Sequence, residues 1–436
     1  MEIYLICLAV ALVGGLLLSR VTKLLGLPAV TAYLVAGLLM GPFVLGALGV
    51  PGLGFNSLEQ TKGLSVLTQV ALGFIAFAMG NEFRLTQLRS FGKQAIVVGV
   101  LQAVITTVLV DLVLIGVHFI SRGALSIPAA LVLGAIASAT APAATLMVVR
   151  QYKADGPLTK LLLLVVAIDD AVGLLLFSVS FGIAGTLATG ETNMISMLLE
   201  PMLEIILSLS LGALMGLLLN FVEKFFHSRS KRMTISVAFV LLTVGLSMLE
   251  FHLGAVHCKF SLLLVCMMTG TVFCNICDTS EELMERVEGW TVPLNILFFV
   301  ISGAELNLNI LVQPIVLIIG VVYILTRSAG KYLGSNLSCR ITHCSKTITS
   351  NLGITLLPQA GVALGMALTA SQSLPGGDLI QNVVLFAVLI YELIGPSLTK
   401  RSLMRAGEIN PEGRTSARTP NQPKEPVSLE EKSENT

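Results

Sequence analysis

Two carboxylates stand side by side at Asp169 and Asp170, in Val165-Val166-Ala167-Ile168-Asp169-Asp170-Ala171-Val172-Gly173, with apolar sequence for several turns on either side. At bilayer depth a single such charge costs about 2.5–3.5 kcal/mol on insertion scales. The residue type that justifies this cost is one that handles ions or protons. Successive residues on a helix are about 100° apart, so one carboxylate can face a cavity while the other turns to a neighbouring helix. Adjacent carboxylates also disfavour double ionisation. Such a pair holds a proton when empty and yields it to an arriving cation. The plainer alternative has one Asp capping a helix break and the other meeting headgroups, and the apolar flanks argue against it.

Other residues could complete a site. Proline inside a helix frees backbone carbonyls, and at membrane depth those are tolerated only inside protein or around a cavity. Thr140-Ala141-Pro142-Ala143-Ala144-Thr145 and Leu357-Pro358-Gln359-Ala360-Gly361 both interrupt apolar runs. Two broken helices crossing near the carboxylates would aim half-helix dipoles at one point. Ser138, Thr140 and Thr145 are the expected polar neighbours, and Pro358 and Gln359 line the other break. Arg327 and Lys331 lie one turn apart, on one helix face. Lys331 is expected to snorkel to the interface, and it also stands beside Arg327 as a candidate charge partner of the aspartates. Arg327 is the expected partner of a carboxylate, with Asp170 first and Glu392 or Asp111 as alternatives.

The elements that must hold these residues are membrane spans. The chain has 436 residues, 54% of them hydrophobic and 12% charged, with mean hydropathy +0.87. That excludes an ordinary soluble globule. Apolar runs suggest about thirteen spans, near 3–20, 29–49, 64–81, 94–119, 126–150, 159–186, 195–222, 233–251, 259–276, 289–304, 309–335, 349–370 and 379–399. With the N-terminus outside, the basic clusters at Arg20/Lys23, Arg84/Arg89/Lys93, Arg150/Lys153/Lys160, Lys224–Arg232, Arg286, Arg340/Lys346 and Lys400–Arg405 fall on the cytoplasmic side. Only Lys62, Arg122 and Lys259 fall outside. The C-terminus is therefore expected in the cytoplasm, with 401–436 a disordered tail rich in Pro, Glu, Lys, Ser and Thr.

The chain repeats itself. Phe77-Ala78-Met79-Gly80-Asn81-Glu82 matches Val300-Ile301-Ser302-Gly303-Ala304-Glu305, and Ile168-Asp169-Asp170-Ala171-Val172-Gly173 matches Ile390-Tyr391-Glu392-Leu393-Ile394-Gly395. The copies enter from opposite sides, the inverted repeat of secondary transporters. Glu82, Glu305 and Glu392 are thereby secondary candidates. Glu200 and Glu204 read as outer-surface residues, and His252 and His257 as weak pH-sensing candidates. The cysteines lie mostly within apolar runs, so no disulfide framework is expected, and the lone Cys274-x-x-Cys277 lacks companion ligands for a metal.

The Thr140-Ala-Pro-Ala-Ala-Thr145 break, the Asp169-Asp170 pair, Gly303-Ala-Glu-Leu-Asn-Leu308 and Leu357-Pro-Gln-Ala-Gly361 together resemble the monovalent cation:proton antiporter-2 family over roughly residues 1–400. The resemblance implies an all-α polytopic membrane protein with two broken, crossing helices. It implies a mobile core at about 94–186 and 309–399, beside a dimerisation scaffold at about 3–81 and 195–304, working as a homodimer by elevator-like alternating access. It places the cation and proton at Asp170, with Asp169 its partner and Thr140 nearby. It puts Arg327 where electrogenic members carry a lysine, a departure that matters because arginine keeps its proton.

The expected function is Na+/H+ antiport at the cell membrane, a transport activity rather than an enzymatic one. Na+ and H+ would be cargo, with K+ or Li+ as other candidate ions, no resident cofactor and no nucleic-acid partner. A K+/H+ antiporter is the alternative, followed by a sodium-coupled organic-anion symporter. An intramembrane aspartyl protease needs its two aspartates on facing helices, and here they adjoin on one. Nothing in the sequence reads as a channel's selectivity filter.

Overall fold

The computed structural model describes residues 2–24, 29–50, 52–80, 83–84, 92–121, 123–141, 145, 148–149, 152–189, 194–249, 251–253, 256–311 and 313–409. Long apolar runs, punctuated by Ser, Pro and Gly, give helices almost throughout. They are α1 Glu2–Leu24, α2 Ala29–Met40, α3 Leu58–Lys62, α4 Ser65–Gly80, α5 Lys93–Ile120, α6 Ile127–Ser138, α7 Pro157–Thr189, α8 Met194–Glu223, α9 Arg229–Ser247 and α10 Leu262–Ile276. Then follow α11 Ser280–Ala304, α12 Leu308–Leu311, α13 Pro314–Ile341, α14 Lys346–Thr355, α15 Gly361–Ser373 and α16 Gly377–Arg405. A short antiparallel hairpin, β1 Phe251–Leu253 with β2 Val256–Cys258, pairs His252 with His257 between α9 and α10.

Local chemistry sets the helix ends. Ser126, Ser261 and Ser345 each accept a hydrogen bond from the backbone N–H three residues on, opening α6, α10 and α14. Pro314 starts α13, where its missing N–H has no cost. Among the described residues, eight helices are long and apolar enough to cross a membrane, and α2, α4, α6 and α10 are shorter apolar helices. Leu5, Leu17, Phe119, Phe221 and Leu325 stand exposed on their outer faces, as lipid-facing residues do.

The packing follows the repeat. A Cβ on Gly303 of α11 would lie 2.2 Å from the Leu34 carbonyl of α2, and one on Gly80 of α4 would lie 2.4 Å from the Met267 carbonyl of α10. The two repeat-matched glycines thus each admit a close helix neighbour. Around the breaks, α13 lies along α5, and α6 packs between α5 and α7, while α14, α15 and α16 close the other side. The remaining helices, α1–α4 and α8–α11, pack chiefly on one another, with α8 also against α7.

The expected spans differ from the helices in places. The 29–49 run is helical only to Met40, then turns through a 3-10 segment, Gly46–Leu48. The run at 289–304 starts at Ser280, because Glu281, Glu282, Glu285 and Arg286 mask an amphipathic turn that buries Leu283, Met284 and Val287. The 349–370 run is two half-helices, α14 and α15, separated at Leu356–Ala360. The last helix runs to Arg405, past residue 400.

Candidate ion-binding site

The α7 helix brings Asp169 twelve residues, about 18 Å, in from its Pro157 end, where it is fully buried. Its Oδ2 accepts a charge-assisted hydrogen bond from Lys331 Nζ at 2.6 Å. The Thr140 hydroxyl donates to the same oxygen, and Gln102 Nε2 donates to Oδ1. Lys331, also fully buried, donates to Thr140 Oγ1 at 2.9 Å, to Gln102 Oε1 at 3.2 Å and to the Ser138 carbonyl. A buried ion pair is tolerable only when its remaining lone pairs and protons are met this way.

One turn earlier on α13, Arg327 does something different. Its Nε donates to the Ala137 carbonyl at 3.0 Å, Nη2 to Ala139 at 2.7 Å and Nη1 to Leu357 at 2.7 Å. Its guanidinium lies 4.5 Å over the Tyr391 ring. The ends of α6 and α14 leave orphan carbonyls, and these are the negative ends of two helix dipoles. Arg327 gathers carbonyls from both, and Lys331 takes one from the first. The breaks are tied together directly as well: Ala141 N–H donates to the Pro358 carbonyl at 2.9 Å. Gln359 Nε2 donates to the Ile136 carbonyl at 3.0 Å and to the Tyr323 hydroxyl at 3.1 Å. Gly173 sits against Ser138 and Ala139, and Gly395 against Pro358, so the two repeat-matched glycines face the two breaks.

The structure therefore gathers Asp169, Thr140, Ser138, Lys331, Arg327, Pro358 and Gln359 at one crossing. Thr145 is within reach of the second break, its hydroxyl 3.5 Å from the Thr355 carbonyl. The Asp170 side chain, Pro142 and Glu82 lie outside the described residues. Among the described residues Arg327 meets three carbonyls, which its planar fork can reach in different directions, and neither Glu392 nor Asp111; the expected contact with Asp170 falls outside the described residues. One expectation is corrected. Lys331 does not snorkel: it points into the bundle ten residues from the end of α13, and it is the carboxylate's partner.

Other candidates fall elsewhere. Asp111 is half-buried beside Gly134, with its Oδ1 shielded and unpaired, and does not meet Arg327. Glu305 bonds Gln381 at 2.6 Å, on the loop after α11. Glu392 is buried against Thr31. Glu204 is 5% exposed and pairs with Lys259 at 3.6 Å, which corrects its reading as an outer-surface residue. Sequence reasoning missed Gln102 and Tyr391. Gln102 had a signal: an amide in the middle of the apolar α5. Tyr391 had one in its alignment with Asp169, which places it at the equivalent spot against the other break.

Comparison with known proteins bears on the family and the fold. The pattern of the transmembrane sodium/hydrogen exchanger family matches residues 8–405. K(+) efflux antiporter 5 of Arabidopsis thaliana is 30% identical over 95 residues, which is 22% of this chain and 14% of that protein. In structure the chain is similar to the sodium proton antiporter MjNhaP1 from Methanocaldococcus jannaschii at pH 8, with a TM-score of 0.69 and 19% identity over 94% of this chain and 99% of that one. An electron-microscopy structure of the same antiporter gives 0.62 and 17%, covering 93% and 98%. At such identities the likeness is one of fold. The family match spans nearly the whole chain, and this multi-span membrane protein belongs to the sodium/hydrogen exchanger family of cation:proton antiporters.

Proposed function

We propose that the protein exchanges Na+ for H+ across the cell membrane, with Asp169 and Asp170 as a shared site where cation and protons compete. The observation that carries this reading is the buried Asp169–Lys331 pair at the crossing of two broken helices, next in sequence to a second aspartate. A cation arriving at the carboxylates, with Thr140 and the freed carbonyls as further oxygen donors, takes over the charge that Lys331 neutralises. Lys331 then parts from Asp169, and protons leave the site. Arg327 keeps the half-helix ends together throughout. The helices around the breaks move as the mobile core by elevator-like alternating access against α1–α4 and α8–α11, which also form a homodimer. The N-terminus is outside and the C-terminus cytoplasmic.

Because protons compete with the cation, exchange should rise with pH. The test is Na+-driven proton flux in proteoliposomes: Asp170→Asn is expected to abolish it, and exchange at the parent rate would remove Asp170 from the site. The second reading, K+/H+ antiport, is favoured by the 95-residue similarity to a K(+) efflux antiporter. Replacing Na+ with K+ in the same assay decides between them.

A further inference from the structure

Glu392 is a carboxylate that the exchange site does not use. It is 1% exposed on α16, more than halfway along a membrane-spanning helix. Its Oε2 accepts one long hydrogen bond, 3.4 Å, from the Thr31 hydroxyl on α2, and its Oε1 has no partner. No ion pair reaches it among the described residues.

Among the described residues, the helices packed most on α16 offer no compensating charge. α6, α12 and α15 carry no ionisable side chain, α2 carries only Tyr33, and the one cation of α14, Lys346, is exposed at its first turn. On α13, Arg327 is held by carbonyls and the Tyr391 ring, and Lys331 lies on Asp169. On α16 itself, Lys400 lies two turns further on, over the Tyr152 ring, Asp378 pairs with Lys62 at the other end, and Arg401 and Arg405 are exposed. A bare carboxylate in such surroundings is costly, and the group neutralises instead. With a proton on it, Glu392 leaves no bare charge among these helices.

Its position decides what that proton does. Tyr391, its neighbour, faces the crossing beneath Arg327, and Gly395 packs on Pro358, so α16 is fixed to the broken helices. Glu392 faces the other way, onto α2, which packs on α1 and α11. Val30, next to Thr31, touches Ala141 and Ala360 at the breaks. The Thr31–Glu392 contact thus joins the two helix sets beside the exchange site. We propose that Glu392 is a second proton-binding site, distinct from the aspartates, which closes the α16–α2 interface when protonated and opens it when its proton passes to water. The proton is taken up and released on the same side, so it sets the conformational balance and not the exchange ratio. The inference rests on the antiport reading only for its consequence on transport.

The test is a pair of measurements on the full-length protein. In proteoliposomes, Glu392→Gln keeps the interface neutral at every pH. Its maximal Na+/H+ exchange rate is expected to fall and to lose the dependence on one proton, with the KM for Na+ and the H+:Na+ ratio unchanged. A wild-type pH profile of the maximal rate, or an effect confined to KM, would overturn the proposal. Hydrogen exchange over Ala29–Met40 needs no transport activity. Protection in wild type should decline as pH rises, persist in Glu392→Gln, and decline at lower pH in Thr31→Val. Identical protection profiles in all three would also overturn it. Wild-type protein that moves neither Na+ nor K+ would sink the antiport reading alone, leaving the hydrogen-exchange result to judge Glu392.

Discussion

Lys331 and Arg327 carry the same charge on the same face of α13, one turn apart, yet their chemistry divides them. The ammonium is compact, sits on a flexible stem and shifts its proton readily when buried; the guanidinium is a rigid fork that keeps its charge. The structure uses each accordingly: Lys331 lies on an ionisable carboxylate, and Arg327 on three carbonyls whose dipoles are fixed. The residue types were legible in sequence and their assignment was not, because spacing fixes a helix face but not which of two neighbouring turns meets the carboxylate. Lys331→Ala strands the Asp169 charge in the interior, a loss of about 3–5 kcal/mol for a broken buried pair. That is expected as a lower melting temperature in detergent. Adding Asp169→Asn to Lys331→Ala removes the stranded charge and should raise the melting temperature above that of the single variant. Losses that simply add would mean that the two side chains do not act as a pair.

At the scale of elements, the two breaks and the inverted repeat could be read from Pro142, Pro358 and the matched glycines, because proline and close packing leave local marks. Long-range caps leave none. Glu408 follows the last helix, in a stretch that composition assigns to a polar tail. In the fold its carboxylate returns to the start of α7, about 250 residues back in sequence, accepting from Leu158 N–H, Thr159 N–H and the Thr159 hydroxyl, each at 2.7 Å. Gly156 makes room: a Cβ there would lie 2.3 Å from the Glu408 carboxyl carbon. An anion on the positive end of a helix dipole thus anchors the helix that carries both aspartates. Glu408→Ala should cost about 1–2 kcal/mol, the range of a lost N-cap, and Glu408→Gln less, since the amide oxygen still accepts. Thermal melts give the size, and faster hydrogen exchange confined to the first turn of α7 would locate it. Unchanged exchange at Leu158 and Thr159 would show that the cap carries no weight.

Across the whole molecule, the helices around the breaks meet the remainder through side-chain pairs on the face that carries the loop after α11. Gln381 bonds Glu305 at 2.6 Å, Lys62 reaches Asp378 at 3.3 Å, the Asn307 N–H donates to Asn382 Oδ1 at 2.7 Å, and Gln69 bonds Gln372 at 2.8 Å. Each joins α3, α4 or the loop after α11 to α15 or α16. Glu305 and Gln381, with Lys62, Ser65 and Gln372, line a cavity of about 320 Å³. Burial pushes the Glu305 carboxyl from 4.5 up to about 7, with Asp378 adding to the rise and the Gln381 hydrogen bond and the Lys62 charge opposing it. A carboxyl whose folded value is raised favours the folded state fully below its unfolded value. That contribution is lost as pH climbs through the folded value. The seam is therefore tightest in acid, loses stability between about pH 4.5 and 7, and loses no more from this group above that. Glu305→Gln keeps a neutral acceptor for Gln381 and cannot ionise. Melting temperatures followed across that window should fall with pH in wild type, and less steeply in the variant. Parallel curves would place the titration elsewhere. If the seam opens during exchange, as alternating access requires, the same variant should also slow exchange above neutrality, where wild type has already lost this brace.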